Sequence, residues 1–228
     1  MSAPLPQGEE KRVAVRRLFD TISPRYDLVN RVMTFGMDVG WRRTAVASLR
    51  LAGRSLVADL ACGTGDLCRE LERRGYRAVG FDFSHGMLVN ARTDSPLVQA
   101  DINALPLADG AADGVTCGFA LRNVVSLVGF FRELGRVVRP GGRIALLDAS
   151  EPDNRLVRAG HGLYFRRVVP LIGGVLSDKA AYSYLPRSMA YLPQPAEMVS
   201  MLGSAGFPDV ERRQLSGGIA QLFVGTRS

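Results

Sequence analysis

The chain has 228 residues, of which 46% are hydrophobic and 22% are charged. This composition excludes a disordered or fibrous protein, and the length is typical of one α/β domain, so we expect a single domain over residues 1–228. No run of about 18 apolar residues is present and the first residues do not form a secretory signal, which predicts a cytoplasmic protein. The cysteines, Cys62, Cys68 and Cys117, are not spaced as a metal site or a disulfide framework, so neither is expected.

The formal net charge is +7, and nearly all of the positive charge comes from arginine, because Lys11 and Lys179 are the only lysines. A positive surface favours anionic partners, whether acidic lipid, nucleic acid or phosphate. A solvated basic surface explains the same charge equally well. The net charge therefore does not identify the class of partner.

Apolar residues recur at helical spacing from Lys11 to about Leu51, with breaks at Ser23-Pro24 and at Gly36. We therefore predict N-terminal helices over residues 10–52. After Gly53, short apolar runs alternate with amphipathic segments, a pattern typical of a parallel sheet with crossover helices. The predicted strands cover residues 56–60, 78–81, 97–100, 114–117 and 143–147.

A helical stripe begins after Ser126 and is predicted to end at Pro140-Gly141-Gly142. Residues 151–193 then interrupt the alternation with apolar runs that carry arginines, and we predict a helical insertion that covers the carboxyl edge of the sheet. Residues 194–228 are predicted to form a last helix at 195–205 and a closing hairpin at 210–215 and 219–225.

The most informative segment is a strand that ends in Asp59 and is followed by the turn Gly63-Thr64-Gly65. Glycine lets a ligand approach the backbone, and the helix that begins after the turn offers free N–H groups. A dinucleotide site would need a third glycine where Cys68 stands, so NAD is disfavoured. The carboxylate of Asp59 suits a cofactor with cationic groups, such as the ammonium and sulfonium of S-adenosylmethionine.

Two further acids follow the next two strands. Asp82, followed by Phe83, can accept hydrogen bonds from both ribose hydroxyls, and Asp101 can accept an adenine amino proton while Ile102 packs against the ring. A single aspartate after a strand is more often a helix cap, but three at successive strand ends predict a cofactor-binding core over residues 54–150. This stretch resembles class I S-adenosylmethionine-dependent methyltransferases. The resemblance implies a Rossmann-like α/β fold with a seven-stranded, mostly parallel sheet whose last strand is antiparallel.

Four further parts of the chain are similar to the demethylmenaquinone and ubiquinone-precursor C-methyltransferase family. They are the N-terminal signature over residues 19–43, the FALRNV segment at 119–124, the stretch at 136–150, and the insertion at 164–173 and 182–186. The similarity runs from about residue 19 to residue 227. The N-terminal signature and the Leu-Arg-Asn segment are more specific than the glycine turn, which many methyltransferases share.

The resemblance implies methyl transfer from S-adenosylmethionine to a ring carbon of a prenylated quinol, with demethylmenaquinol as the expected acceptor and a benzoquinol left open. It places Arg122 by the substrate ring, where its charge would stabilise a phenolate, and it gives Asn123 the role of positioning a water or a quinol oxygen. It also implies cofactor contact at Gly118, and the implied substrate-binding residues are Tyr26, Asp27, Asn30 and Tyr184.

Four positions depart from the family pattern. Asp38 stands where histidine is frequent, Asp148 where glutamate is usual, Gly118 where a serine is common and Arg187 where an acid is usual. None of these departures removes a cofactor acid, but a side branch of the family could use another acceptor.

Several alternatives stay open. A methyltransferase for another small molecule, or a non-catalytic cofactor-binding subunit, would share every cofactor feature. A nucleic-acid methyltransferase is disfavoured because the chain has no Asp/Asn-Pro-Pro-Tyr motif. Residues 156–176 fit either a cap that touches anionic membrane or a core helix whose arginines reach water, and a homodimer is left open. His161 is an outside candidate for a base, whereas His85 is expected to be an exposed capping residue.

Overall fold

The computed structural model describes residues 7–164, 167, 184 and 187–228. Its N-terminal part consists of helices α1 (Gly8–Ile22), α2 (Tyr26–Met33) and α3 (Met37–Leu49). The two predicted breaks are present, since Ser23-Pro24 lie in a 3-10 turn and Gly36 has a φ of 76°. Proline restricts the backbone and glycine tolerates positive φ, so the chain turns between α1 and α2 at the first position and between α2 and α3 at the second.

Seven strands form one sheet in the order β3-β2-β1-β4-β5-β7-β6. They are β1 (Leu56–Leu60), β2 (Arg77–Asp82), β3 (Leu97–Gln99), β4 (Ala112–Gly118), β5 (Val138–Ala149), β6 (Glu211–Leu215) and β7 (Ala220–Thr226). Neighbouring strands among the first five are parallel, whereas β7 is antiparallel to both β5 and β6. The predicted Rossmann-like fold with an antiparallel last strand is confirmed, and it brings the carboxyl ends of the five parallel strands to one edge.

Helices cover both faces of the sheet. Beyond the N-terminal helices they are α4 (Asp66–Arg73), α5 (His85–Val89), α6 (Leu127–Val137), α7 (Arg155–Leu163) and α8 (Pro195–Ser204). Phe130 and Phe131 of α6 are buried in one cluster with Met198 of α8, and Leu49 of α3 is buried in another with Leu71 of α4. Each such side chain contributes roughly 1.5–3 kcal/mol of hydrophobic stabilisation, which fixes the sheet between two helical layers.

The junction between α6 and β5 differs from the prediction. The helix ends at Val137, and β5 already begins at Val138, so Pro140-Gly141-Gly142 lie within the strand and do not end the helix. Val138 pairs with Ala112 across an irregularity in the ladder, and a Cβ on Gly142 would lie 2.8 Å from the Asp113 carbonyl oxygen. Glycine is therefore needed there for close approach of two strands.

The predicted insertion begins with helix α7, but most of residues 165–186 lie outside the described residues. The interpretation of residues 151–193 as a substrate cap, and of residues 156–176 as membrane-touching, therefore stays a prediction. None of the helices in the described part of the chain combines the length and the apolar character needed to cross a membrane.

Candidate active site

A cavity of about 500 Å³ lies at the carboxyl edge of the sheet. Helix α1 and the start of α2 form one wall, and the loops after β1, β2, β3 and β4 form the rest. Eight of the residues predicted from sequence line it together: Tyr26, Gly63, Asp82, Phe83, Asp101, Ile102, Gly118 and Asn123. The fold thus brings the ends of four strands to one ligand-sized space.

Asp82 lies at the end of β2, where its carboxylate is 4% exposed. One oxygen accepts from the backbone N–H of Gly63 at 2.8 Å and the other from that of Ser84 at 2.8 Å. Burial raises the pKa of Asp82 to about 6, and these backbone donors only partly oppose that effect. A carboxylate has about four lone-pair sites, so Asp82 can hold the glycine turn and still accept from a ligand.

Asp101 and Asn103 form the end of the cavity beneath α1. The Asn103 amide donates to Asp101 Oδ1, from its backbone N–H at 2.9 Å and from Nδ2 at 3.1 Å. These bonds fix the orientation of the Asn103 side chain. The Oδ1 atom of Asn103 is left buried without a hydrogen-bond partner in the described structure. On the other side, Arg12 is paired with Glu9 at 2.8 Å and its Nη1 lies 3.9 Å from Asp101 Oδ2.

Asp59, the acid before the glycine turn, is fully buried and does not line the cavity. Its carboxylate accepts from Thr116 Oγ1 at 2.8 Å and from Cys68 Sγ at 3.4 Å. Burial raises the pKa of Asp59 to about 7. The structure therefore places Asp59 behind the turn and out of the cavity lining, so the direct cofactor contact predicted for it is not available there.

Thr64 and Gly65 also lie away from the cavity lining. Thr64 is buried and its hydroxyl donates to Asp27, which connects the turn to helix α2. Gly65 precedes α4 with a φ of 85°, and a Cβ there would lie 2.8 Å from the Thr93 side chain. Both residues hold the shape of the turn, which leaves Gly63 as its cavity-facing member.

Helix α2 presents Tyr26 to the cavity, whereas Asp27 and Asn30 do not line it. The Tyr26 hydroxyl is hydrogen-bonded to the Asn30 side chain, and burial raises the pKa of Tyr26. Tyr26 therefore stays protonated near neutral pH and can donate a hydrogen bond, but it is not a base.

Asp38 is 2% exposed and anchors a charge network between the N-terminal helices and α4. It accepts from Arg31 at 2.7 Å and from Arg42, and Arg42 reaches Asp66 at 3.2 Å. Two arginines and the Thr34 hydroxyl satisfy a carboxylate that would be costly to bury alone. The network fixes α2 and α3 against the helix that follows the glycine turn.

Arg122 and Asn123 follow β4 in a 3-10 turn and have different surroundings. Arg122 is 7% exposed, does not line the cavity, and pairs with the fully buried Asp148, which also accepts from the Arg122 backbone N–H at 3.3 Å. Asn123 lines the cavity and accepts from the Tyr184 hydroxyl at 3.1 Å, while its Nδ2 is buried without a partner in the described structure.

Helix α1 supplies a cavity wall that the sequence analysis did not predict. Gly8, Arg12, Val15 and Phe19 line the cavity, and their spacing of four, three and four residues places them on one helix face. The same spacing is present in the sequence, where it predicts that one face of the helix is buried. It does not show that this face borders a cavity.

Lys11 attaches this wall to the loop after β4. Its Nζ donates to the Val124 carbonyl at 2.7 Å and lies 3.7 Å from the centre of the Tyr191 ring. Burial lowers the pKa of Lys11 to about 8. A buried lysine far from any strand end carries no motif, so only the structure identifies this contact.

Comparison with known proteins agrees with this geometry. The model of the ubiE/COQ5 methyltransferase family matches residues 7–227. The chain is 42% identical to the ubiquinone/menaquinone biosynthesis C-methyltransferase UbiE of Syntrophotalea carbinolica, with 93% of this chain and 94% of the relative covered. It is 41% identical to the demethylmenaquinone methyltransferase of Mycolicibacterium vanbaalenii, with 94% and 95% covered.

A solved structure supports the fold. It is the SAM-dependent methyltransferase from Thermotoga maritima, described as a possible histamine N-methyltransferase. The two chains superpose with a TM-score of 0.66 at 17% identity, and the superposition covers 93% of this chain and 99% of the other. At that identity the likeness concerns the fold alone. The family match over nearly the whole chain shows that this protein belongs to the ubiE/COQ5 methyltransferase family and is an S-adenosylmethionine-dependent methyltransferase.

Proposed function

We propose that this protein methylates a ring carbon of a prenylated quinol, with demethylmenaquinol as the expected acceptor. The relatives named above are a ubiquinone/menaquinone biosynthesis C-methyltransferase and a demethylmenaquinone methyltransferase. The observation that supports the proposal in this chain is the buried amide donor of Asn123 in the cavity, which has no partner among the described residues. An acceptor with a ring oxygen would satisfy that donor. The proposal includes peripheral contact with an anionic membrane, where a prenyl tail would hold the acceptor, and either a monomer or a homodimer is compatible with it.

The cavity fits S-adenosylmethionine from the Asp101 end to the Asn123 end. Asp101 would accept from the adenine amino group, with Ile102 against the ring, and so would Asn103 Oδ1, which has no partner among the described residues. Asp82 would accept from the ribose hydroxyls, and Gly63 would leave room for the methionine part. When bound, the cofactor supplies an electrophilic methyl group on a sulfonium that is already a good leaving group.

Asn103→Leu is expected to weaken S-adenosylhomocysteine binding by about tenfold, because the adenine amino group would lose one of its two acceptors. The same variant should lose less affinity for S-inosylhomocysteine, whose base has an oxygen where adenine has the amino group. Calorimetry with both ligands on wild type and variant measures this. Equal losses for the two ligands would contradict adenine recognition by Asn103 and indicate a structural role.

At the other end of the cavity, the side chains can orient a phenol and stabilise its charge. The Tyr184 hydroxyl donates to the Asn123 side-chain oxygen. The amide N–H groups of Asn123 can therefore donate to a ring oxygen of the acceptor. Burial raises the pKa of Tyr184 to about 12, so this donor stays protonated near neutral pH. Tyr26 supplies a further protonated hydroxyl and, unlike Tyr184, belongs to the cavity lining.

Negative charge on a ring oxygen makes the neighbouring ring carbon nucleophilic. Donors that are fixed in place before the reaction stabilise that charge with little reorganisation. Arg122 would contribute its positive charge from behind the cavity wall, through its position beside Tyr26 and Tyr184, whose pKa values it lowers as a minor effect against burial. Holding the acceptor carbon in line with the methyl group and excluding water can supply roughly 7–11 kcal/mol of the barrier reduction.

Asn123→Leu tests this arrangement. We expect kcat for a reduced short-chain demethylmenaquinone analogue to fall by about two orders of magnitude, because one charge-assisted bond is removed from the reacting oxygen. Affinity for S-adenosylhomocysteine should stay within about twofold, since the cofactor contacts lie elsewhere in the cavity. A variant that keeps wild-type kcat would show that Asn123 does not contact the acceptor.

A further inference from the structure

Helix α2 exposes three large apolar side chains on its outer side. Leu28 is 56% exposed, Val32 is 40% exposed, and Phe35, two residues beyond the helix end, is 76% exposed. Leu28 and Val32 are four residues apart, so they are neighbours on one helix face, and Phe35 follows three residues later. We call these three residues the α2 stripe.

The backbone holds Phe35 in an unfavourable conformation at this exposed position. Its φ is 51°, a region that bulky residues rarely adopt. Its ring lies 5.8 Å from that of Tyr164, whose hydroxyl donates to the Met33 carbonyl at 2.7 Å, and most of Phe35 nevertheless remains accessible. Exposed apolar residues that are grouped and conformationally costly indicate a contact with another apolar surface.

The opposite side of the same helix reaches the active site. Tyr26 lines the cavity, and Val29 is fully buried in a cluster that contains Ile22 and Met87. The α2 stripe is therefore one helix diameter from the space where the acceptor is proposed to react. A surface that binds the α2 stripe would also lie next to the cavity.

The exposed charge next to the α2 stripe is positive. Arg31 and Arg42 are balanced by Asp38 and by Asp66 of α4, and Arg43 lies 3.9 Å from Glu70 of α4, so these three arginines are paired within the protein. Asp38 is 2% exposed and Asp27 accepts from Thr64, so both acids are engaged within the protein. Two exposed arginines flank the stripe: Arg25, which directly precedes α2, and Arg167, three residues after the Tyr164 that contacts Phe35.

We propose that the α2 stripe docks the protein on an anionic lipid bilayer. The apolar side chains enter the interfacial region and the surrounding arginines contact acidic head groups, as in proteins that bind a membrane by an amphipathic surface. A second copy of this chain is a poorer occupant, because a symmetric contact would face like charges toward each other in a protein of net charge +7. The surface of three side chains is also far smaller than the roughly 800 Å² that each partner buries in a stable dimer.

This inference rests on the proposed function and extends it by naming the surface that contacts the membrane. A prenylated quinol is dissolved in the bilayer, and docking at α2 would bring the cavity to it. The docking itself needs no quinol, so it can be measured whether or not the acceptor has been identified correctly.

The test is co-flotation with vesicles of phosphatidylcholine containing phosphatidylglycerol. Wild-type protein should float with these vesicles, less so at high salt, and far less with phosphatidylcholine alone. The variant Leu28→Ser/Phe35→Ser should bind the anionic vesicles about tenfold more weakly, since most of the inserted apolar surface is lost. Val128→Ser is the matched control, because Val128 is 55% exposed on α6, away from α2, and should bind as wild type.

Unchanged affinity for S-adenosylhomocysteine in both variants shows that they are folded. Equal flotation of wild type and the double variant would overturn the proposal, as would an equal loss in Val128→Ser. A wild-type dimer that becomes a monomer in the double variant would overturn it in favour of an interface between copies. Flotation that depends on the α2 stripe, in a protein that methylates no quinol, would support the docking surface and contradict only the proposed acceptor.

Discussion

Replacing Asp82 with alanine is expected to weaken S-adenosylhomocysteine binding by about two orders of magnitude, because two hydrogen bonds from the ribose hydroxyls to a charged acceptor are lost. Asp82 lies in the cavity with its carboxylate almost completely buried, so water cannot replace these bonds effectively. Isothermal titration calorimetry measures the change directly. Affinity within a few-fold of wild type would contradict the ribose assignment.

The pH dependence of binding separates a direct contact from a structural role, since Asp82 also holds the glycine turn through Gly63. Burial raises the pKa of Asp82 to about 6, and only the ionised carboxylate accepts from both hydroxyls. Wild-type affinity should therefore be full well above pH 6 and fall by up to about tenfold per unit below it. Asp82→Asn should have lower affinity throughout and lack this decrease.

The free energy of unfolding of the ligand-free protein should instead decrease as the pH rises. A carboxyl group whose pKa rises from 3.8 to about 6 on folding stabilises the fold while it is protonated, and this contribution is lost as the pH rises through that interval. The loss is roughly 3 kcal/mol at most, and it is absent from Asp82→Asn. Comparing urea unfolding of the two proteins between pH 4 and pH 7 measures it.

Arg122→Met is expected to lower the free energy of unfolding by about 3–5 kcal/mol, because it leaves the fully buried carboxylate of Asp148 without a counter-charge. Arg122→Met/Asp148→Asn should recover most of this loss. The asparagine is neutral and keeps an oxygen that can accept from the backbone N–H of Ala149, which donates to Asp148 at 2.7 Å. Urea denaturation of both variants measures the recovery, and a double variant no more stable than the single one would contradict the ion-pair account.

The double variant also tests the proposed electrostatic role of Arg122 in a folded protein. The double variant removes the charge of Asp148 together with that of Arg122, but Arg122 is the member of the pair that acts on Tyr26 and Tyr184. The acceptor phenol should therefore ionise less readily, so kcat should fall by up to about tenfold and its rise with pH should shift upward. The affinity for S-adenosylhomocysteine should not change. A wild-type pH profile would leave Arg122 with a structural role only.

The sequence predicted the part of the site that depends on strand ends. In a parallel sheet, residues that follow successive strands meet at one edge, so the sequence alone places Asp82, Asp101 and the glycine turn together. The resemblance located the Leu-Arg-Asn segment at the same edge. Both inferences depend on local patterns whose geometry is fixed by the fold.

The sequence could not distinguish residues that face the cavity from those one layer behind it. Asp59 and Arg122 belong to the same motifs as Gly63 and Asn123, but the structure buries the first two against Thr116 and Asp148. The contact of Lys11 with the Val124 carbonyl depends on tertiary packing over a separation of 113 residues, for which a single sequence carries no periodic signal.

Methyl transfer from labelled S-adenosylmethionine to a reduced short-chain demethylmenaquinone analogue, with the labelled position in the product determined by NMR, tests the central claim most directly. A benzoquinol analogue assayed in parallel would distinguish the two ring classes. The account predicts label on a ring carbon, and a rate that falls by about two orders of magnitude in Asn123→Leu. Label on a ring oxygen, or cofactor binding with no product from either quinol, would contradict it.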